Sequence, residues 1–331
     1  MKTLIAGFGS IGRRHLRNLR ALGETDFVLL RSHRSTLSDD EIAGLPVETN
    51  IEAALAHKPD AVVVSNPTAL HLDVAIPAAR AGCHLFLEKP VSHTLEREEE
   101  LRAAAATGGG CVVVGFQLRF HPGLRRVKEL LDAGSIGSVY GFTAHWGEYL
   151  PDWHPWEDYR QGYAACADLG GGVVLTLCHP FDYLRWLLGP VQSLTGRTQR
   201  SGILELEVED NADVIFRMEG GAQGCLHLDY LQRPADHHLE IFGSEGALNW
   251  RNADGAVNLF RVKKGGWENF PAPQSFDRND MFLEEMKNFL DAAGGKARPF
   301  CSLDDGIAAL KLALAVHSSA GTHAAVQDPE K

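Results

Sequence analysis

The first 120 residues alternate short, wholly apolar runs with amphipathic stretches, and no other feature of the chain constrains its fold as tightly. Thr3–Ala6, Phe27–Leu30, Ala61–Ser65, His84–Glu88 and Cys111–Gly115 are apolar along most of their length rather than at every second position. Strands of that kind need cover on both faces, which a parallel sheet between two layers of helices provides. The intervening stretches supply the helices. Ile11, His15, Leu16, Leu19 and Leu22 fall on one helical face. Asn50 is placed to cap a helix beginning at Ile51. Ala69–Ala81 runs into Gly82, a residue suited to a left-handed helix end. A further helix is predicted over about Leu95–Ala105.

Beyond Pro122 the rhythm changes. A helix is predicted over Gly123–Ala133, followed by a strand in SVYGFTAHW and an aromatic loop over Tyr149–Tyr163. The run Gly170–Gly172 precedes a helix ending at Gly189. From Gln192 to about Val262, alternating apolar and polar residues with turn residues between them indicate an antiparallel sheet, one face buried and one free. Two helices close the chain, near Met281–Ala293 and Asp304–Ser318. The expected class is α/β: a parallel-sheet domain over 1–121, then an α+β domain with an open, mostly antiparallel sheet over 122–331. The last helix, about 303–320, is expected to pack back on the first domain.

A formal charge of −11 argues against a nucleic-acid partner. No run approaches the roughly 18 apolar residues that span a bilayer, and the N-terminal apolar run is too short for a signal peptide. The six cysteines lack any C-x-x-C spacing and read as buried thiols, so a cytoplasmic location is expected.

Gly7, Gly9 and Gly12 form G-F-G-S-I-G directly between the first strand and the first helix. There the first glycine permits the tight turn, the second lets a pyrophosphate approach the backbone, and the third packs helix on strand. With Phe8, Ser10 and Ile11 this turn presents a helix N-terminus to phosphate. The first domain is therefore read as a Rossmann domain for a dinucleotide. NAD sites carry an acidic residue about 20 positions on, for the ribose 2′-hydroxyl. This chain has Arg31, Ser32 and Arg34 instead, which suit a 2′-phosphate, so NADP(H) is expected over NAD(H).

GFGSIG, NPTALH (Asn66–His71), AGCHLFLEKP (Ala81–Pro90), GFQLRFHP (Gly115–Pro122) and GGGVVLTLCHPFDYLRWLLG (Gly170–Gly189) together resemble the Gfo/Idh/MocA family of sugar and cyclitol oxidoreductases. The resemblance spans nearly the whole chain in the family's order. It implies hydride transfer between a nicotinamide cofactor and a secondary hydroxyl or carbonyl of a sugar, sugar derivative or cyclitol. It also implies a homodimer or homotetramer formed through the second domain's sheet, and a cis bond before Pro90. Asn66, Pro67, Thr68, His71, Glu88 and Lys89 join the expected cofactor site. Two other activities occur on this fold: glycoside cleavage driven by transient oxidation, and cofactor sensing without catalysis.

Lys89 follows an apolar strand, so it emerges at the carboxyl edge of the sheet, where ligands bind in such folds. It is the expected proton acceptor or donor. His179 has an unperturbed pKa of about 6.5, suited to proton exchange. Asp182, one helical turn on, is expected to align His179 or bind substrate. Many members of the family carry an Asp four residues before this histidine. This chain has Leu175 there, and Thr176 next to it, so either Thr176 supplies a hydrogen bond or Lys89 and His179 work alone. Trp153, Trp156, Tyr159, Arg160 and Tyr163 in the aromatic loop, with Arg119, are expected to contact the substrate, since flat rings stack on sugar C–H faces. His145, His154 and His179 lack ligand spacing, and no metal is expected.

Overall fold

The structure, a computed structural model, describes residues 1–32 and 40–330. Arg34 lies outside the described residues. In chain order, β1 (Thr3–Ala6), α1 (Ser10–Ala21), β2 (Phe27–Leu30), β3 (Val47–Glu48), α2 (Ile51–Ala56), β4 (Ala61–Val64), α3 (His71–Arg80), β5 (His84–Glu88), α4 (Glu98–Gly108) and β6 (Val112–Gly115) come first. Next are α5 (Pro122–Asp132), β7 (Val139–Tyr149), α6 (Val173–Thr176), α7 (His179–Leu188) and β8 (Val191–Gln199). Then follow β9 (Asn211–Met218), β10 (Gln223–Asp229), β11 (Leu231–Gly243), β12 (Gly246–Arg251), β13 (Val257–Arg261) and β14 (Gly266–Phe270). The chain ends with α8 (Arg278–Ala293), α9 (Leu303–Thr322) and β15 (Val326–Gln327).

Two compact units result. One comprises Met1–Gln117 with Asp277–Ile307, the other Leu118–Phe276 with Ala308–Lys331. The segment Asp277–Ile307 thus joins the first unit, although the sequence pattern placed it in the second domain. The reason is packing: Met286, Phe289 and Ala292 of α8 enter the same core as Leu16, Leu19 and Phe86. Only the first residues of α9, up to Ile307, cluster with the first unit. Most of it belongs to the second, where Gly196 lies against Val316 and its N–H donates to Ser319 Oγ at 2.9 Å.

In the first unit six strands run in the order β3-β2-β1-β4-β5-β6, all parallel. Every residue of β1, β4 and β6 is buried, as strands covered on both faces require. Because the strands are parallel, the turns after Ala6, Val64, Glu88 and Gly115 all leave the same edge of the sheet.

The second unit holds a nine-stranded sheet in the order β14-β13-β12-β11-β7-β10-β9-β8-β15. Its pairs are antiparallel except for β7 with β10. Phe142, Ala144, Trp146, Val214, Phe216, Leu226, Leu239 and Ile241 are buried on one face. On the other face, Asp213, His227, His145 and His238 follow one another across four strands. The ring of His145 stacks between the other two histidines, with centroids 5.1 Å apart on each side. The hydrogen bond from His227 to Asp229, together with Asp213, outweighs the partial burial of His227 and raises its pKa to about 9.

Among the described residues no helix is long and apolar enough to cross a membrane. All six cysteines are free thiols; Cys83, Cys178 and Cys301 are buried as expected, whereas Cys225 is exposed on the sheet.

Candidate functional site

In the first unit the glycine turn has the shape that the spacing implies. Gly7 has φ +90°, and a Cβ there would lie 2.4 Å from the Asn66 nitrogen. A Cβ at Gly12 would lie 2.2 Å from the Gly7 oxygen. Both positions therefore exclude a side chain. Gly9 is different: a Cβ there would meet nothing within 4 Å. Gly9 is also the N-cap of α1 and provides no side-chain cap for the first amides of the helix. Two glycines closed by the fold and a third open at a bare helix start fit a dinucleotide pyrophosphate.

At the end of β2, Arg31 is buried and Ser32 exposed. The Arg31 guanidinium lies 6.0 Å from the Phe8 ring centre, and Arg13 approaches the same ring at 4.5 Å. Two cations thus gather beside the turn. Asn66 donates through Nδ2 to the Leu70 carbonyl at 2.9 Å, while Pro67 and Thr68 complete the turn into α3. His71 is buried with its two ring nitrogens 2.9 Å from the Pro90 carbonyl and 3.0 Å from the Asn66 carbonyl. Its ring therefore bridges the turns after β4 and β5, and burial pushes its pKa down.

Lys89 leaves the carboxyl end of β5, half-buried, and the Lys89–Pro90 bond is cis. Glu88 accepts from His15 Nε2–H at 2.7 Å through one oxygen and from the Lys89 amide at 3.2 Å through the other. Burial opposes the carboxylate's charge. The His15 hydrogen bond and the charges of His15 and Lys89 outweigh it, so the Glu88 pKa falls below its ordinary value.

In the second unit, the predicted single helix after the glycine run is two pieces, α6 and α7, with His179 the first residue of α7. Gly172, at φ +100°, makes room for Glu209: a Cβ there would lie 2.4 Å from the carboxylate. Glu209 in turn accepts from the Val174 amide at 3.2 Å and faces His317 at 3.1 Å. Thr176 is buried, and the Tyr230 hydroxyl donates to the Ala164 carbonyl at 3.4 Å. His179 is buried beside Trp146, with ring centres 5.4 Å apart. Trp146 stacks flat on His237 at 4.3 Å and donates to Glu148 at 2.8 Å.

Asp182 and Arg119, expected separately at the substrate, are brought together. Arg119 Nε donates to the two Asp182 oxygens at 3.1 and 2.9 Å, and Nη2 donates at 2.7 Å, with both side chains buried. A bidentate pair of this kind holds the start of α7 against the turn before α5. In the aromatic loop, Trp153 packs edge-on against Tyr230, and Tyr159 donates to the Leu204 carbonyl at 3.2 Å. Arg160 pairs with Asp158 and Glu205 at the surface. Trp156 and Tyr163 are exposed. Among the described residues no group of three His, Cys, Asp or Glu side chains is placed to hold a metal ion.

His15, Arg13 and Glu209 were absent from the expected site. His15 alone left a trace in the sequence, as a titratable residue on an otherwise apolar helix face.

A six-stranded parallel sheet with an open glycine turn at its carboxyl edge defines a Rossmann-type dinucleotide-binding protein. Comparison with known proteins carries this further. Residues 1–116 match the oxidoreductase family with an NAD-binding Rossmann fold, and residues 124–249 match the GFO/IDH/MocA C-terminal domain. The chain belongs to the Gfo/Idh/MocA family and is an oxidoreductase. It is 26% identical to myo-inositol 2-dehydrogenase of Thermotoga maritima over 96% of each chain. It is also 26% identical to an NADP-dependent D-xylose 1-dehydrogenase of Haloferax volcanii, over 89% of this chain and 88% of that one. The structure of levoglucosan dehydrogenase in complex with NADH and levoglucosan shares the fold, with a TM-score of 0.88, 18% identity and 99% of both chains covered.

Proposed function

We propose that this protein is a cytoplasmic enzyme that moves a hydride between NADP(H), in preference to NAD(H), and a secondary hydroxyl or carbonyl of a sugar, sugar derivative or cyclitol. The observation that carries this reading is Lys89, half-buried at the carboxyl edge of the same sheet as the open glycine turn. A bound nicotinamide supplies the hydride acceptor or donor. Gly7, Phe8, Gly9, Ser10, Ile11 and Gly12 would hold its pyrophosphate, and Arg31 its 2′-phosphate, with Arg13 adding positive charge. Asn66, Pro67 and Thr68 would line the turn beside the nicotinamide, with His71 holding that turn to Pro90. Lys89 takes the hydroxyl proton on oxidation or returns it on reduction. His179 serves as the second proton-exchanging group, oriented by Trp146. Arg119 and Asp182 hold α7 in place, and Trp153, Trp156, Tyr159, Arg160 and Tyr163 bound the substrate's side of the second unit. The homologous inositol and xylose dehydrogenases support a polyol or aldose as substrate. The open face of the nine-stranded sheet supports a homo-oligomer.

The test uses myo-inositol and D-xylose as probes with NAD+ and NADP+. Lys89→Ala should lower turnover by about 10³-fold while NADP+ affinity, measured by calorimetry, changes less than about threefold. Wild-type turnover in that variant would overturn the assignment of Lys89.

A further inference from the structure

His15 occupies an apolar position of α1, fully buried, with Phe86 edge-on at 4.9 Å and Phe282 at 6.5 Å. Burying an imidazole is worse than burying a leucine unless a hydrogen bond offsets the loss. The Nδ1 atom has no hydrogen-bond partner among the described residues, so the bond from Nε2–H to Glu88 at 2.7 Å is what this ring contributes that a leucine would not. The other Glu88 oxygen accepts the Lys89 amide. Opposite Glu88 in the sheet stands Gly115, where a Cβ would crowd the carboxylate at 3.2 Å. A chain of two hydrogen bonds therefore runs from the phosphate-facing helix to the backbone of Lys89.

We propose that His15 is a positioning residue for Lys89: it fixes the Glu88 carboxylate that holds the Lys89 amide, and it offsets that carboxylate's charge, so that the Lys89 ammonium releases its proton at a lower pH. The proposal rests on the reading of Lys89 as the proton-handling group. The charge argument follows from reciprocity. Lys89 favours the ionised form of Glu88, so Glu88 favours the protonated form of Lys89, and a donor that draws on the carboxylate weakens this hold. Arg14 on α1 and His71 on α3 also lie within electrostatic reach of Glu88. Both stay in place when His15 alone is replaced.

The experiment follows Lys89 directly. The chain has ten lysines, so 13C labelling at lysine Cε gives a countable spectrum in which Lys89→Arg identifies the Lys89 signal. His15→Leu should raise the pH midpoint of that signal by about one unit, and His15→Gln, which retains an N–H donor, should restore at least half of the shift. Glu88→Gln should lower the midpoint, and adding His15→Leu to it should then change nothing further. This pair tests the coupling even if His15→Leu alone folds poorly. An unchanged or lowered midpoint in a folded His15→Leu protein, or an undiminished His15 effect without the Glu88 charge, overturns the proposal. Undiminished turnover in Lys89→Ala would instead remove the catalytic reading and leave the measured coupling standing.

Discussion

Individual side chains divide between those with one possible use and those whose use depends on neighbours. Gly7 and Gly12 belong to the first kind, because any side chain would strike backbone. Arg31 belongs to the second. An arginine at the end of the second strand could be a solvated surface group, yet here it is buried within reach of Phe8 and near Arg13. Charge-assisted hydrogen bonds to a phosphate contribute about 1.5–3 kcal/mol. Arg31→Ala should therefore weaken NADP+ binding by about tenfold or more and NAD+ binding by less than about threefold, both measured by calorimetry. Equal losses for the two nucleotides would place the 2′-phosphate elsewhere. Asp182 shows the limit of spacing arguments. Three residues from His179 it shares a helical side with it, and yet its carboxylate is taken by Arg119, 63 positions away in sequence.

Elements carry their own consequences. Helix α5 begins with His121 as N-cap, whose Nδ1 accepts from the Gly123 amide at 3.0 Å. Trp250 and Phe276 enclose the ring, each 5.1 Å away. Burial lowers its pKa to about 4, and protonating Nδ1 would also break the cap. The unfolded chain binds this proton more readily than the folded one. The stabilising difference is thus fully present above about pH 6.5 and declines as pH falls toward about 4. By pH 5 the loss is about 2 kcal/mol. His121→Asn keeps a capping side chain but cannot titrate, so urea unfolding of that variant should lose about 2 kcal/mol less than wild type between pH 7 and 5. An identical acid loss in the variant would show that other buried groups, such as His71 or His237, dominate it. Most elements were legible beforehand because their apolar periods are strong; β1, β4, β5 and α1 agree with their predicted spans to within a residue or two. The short β3 and the edge strands β14 and β15 were not, since two to five residues with mixed burial carry little period.

One face of the nine-stranded sheet carries exposed apolar side chains. Exposed Ile215 and Cys225 are cross-strand neighbours there, and the β13–β14 pair presents Phe260 beside exposed Trp267. If a second copy covers this face, Ile215→Lys with Trp267→Lys should convert the wild-type oligomer to a monomer in sedimentation equilibrium and leave the NADP+ affinity of the first unit unchanged. A monomeric wild type would remove the oligomer reading; an oligomer that survives both lysines would move the interface off this face. The alternation of the strands announced one buried and one open face. Whether a second copy covers the open face is not encoded in one chain's periodicity.

Local chemistry explains what could be read from the chain before folding. Continuous apolar strands require a parallel sheet, closely spaced glycines require a tight turn, and a lysine after the fifth strand must emerge at the ligand-binding edge. All three conclusions follow from steric and burial rules acting within a few residues. The tertiary structure decided what depends on distant partners. It brought α8 into the first unit's core, joined Arg119 to Asp182, placed Glu209 beside Gly172, and set His15 under Glu88. The two buried polar pairs among these, Arg119–Asp182 and His15–Glu88, join residues 63 and 73 positions apart. Such pairings arise because a buried charge must find an opposite charge or a donor, and only the folded chain determines which one stands within reach.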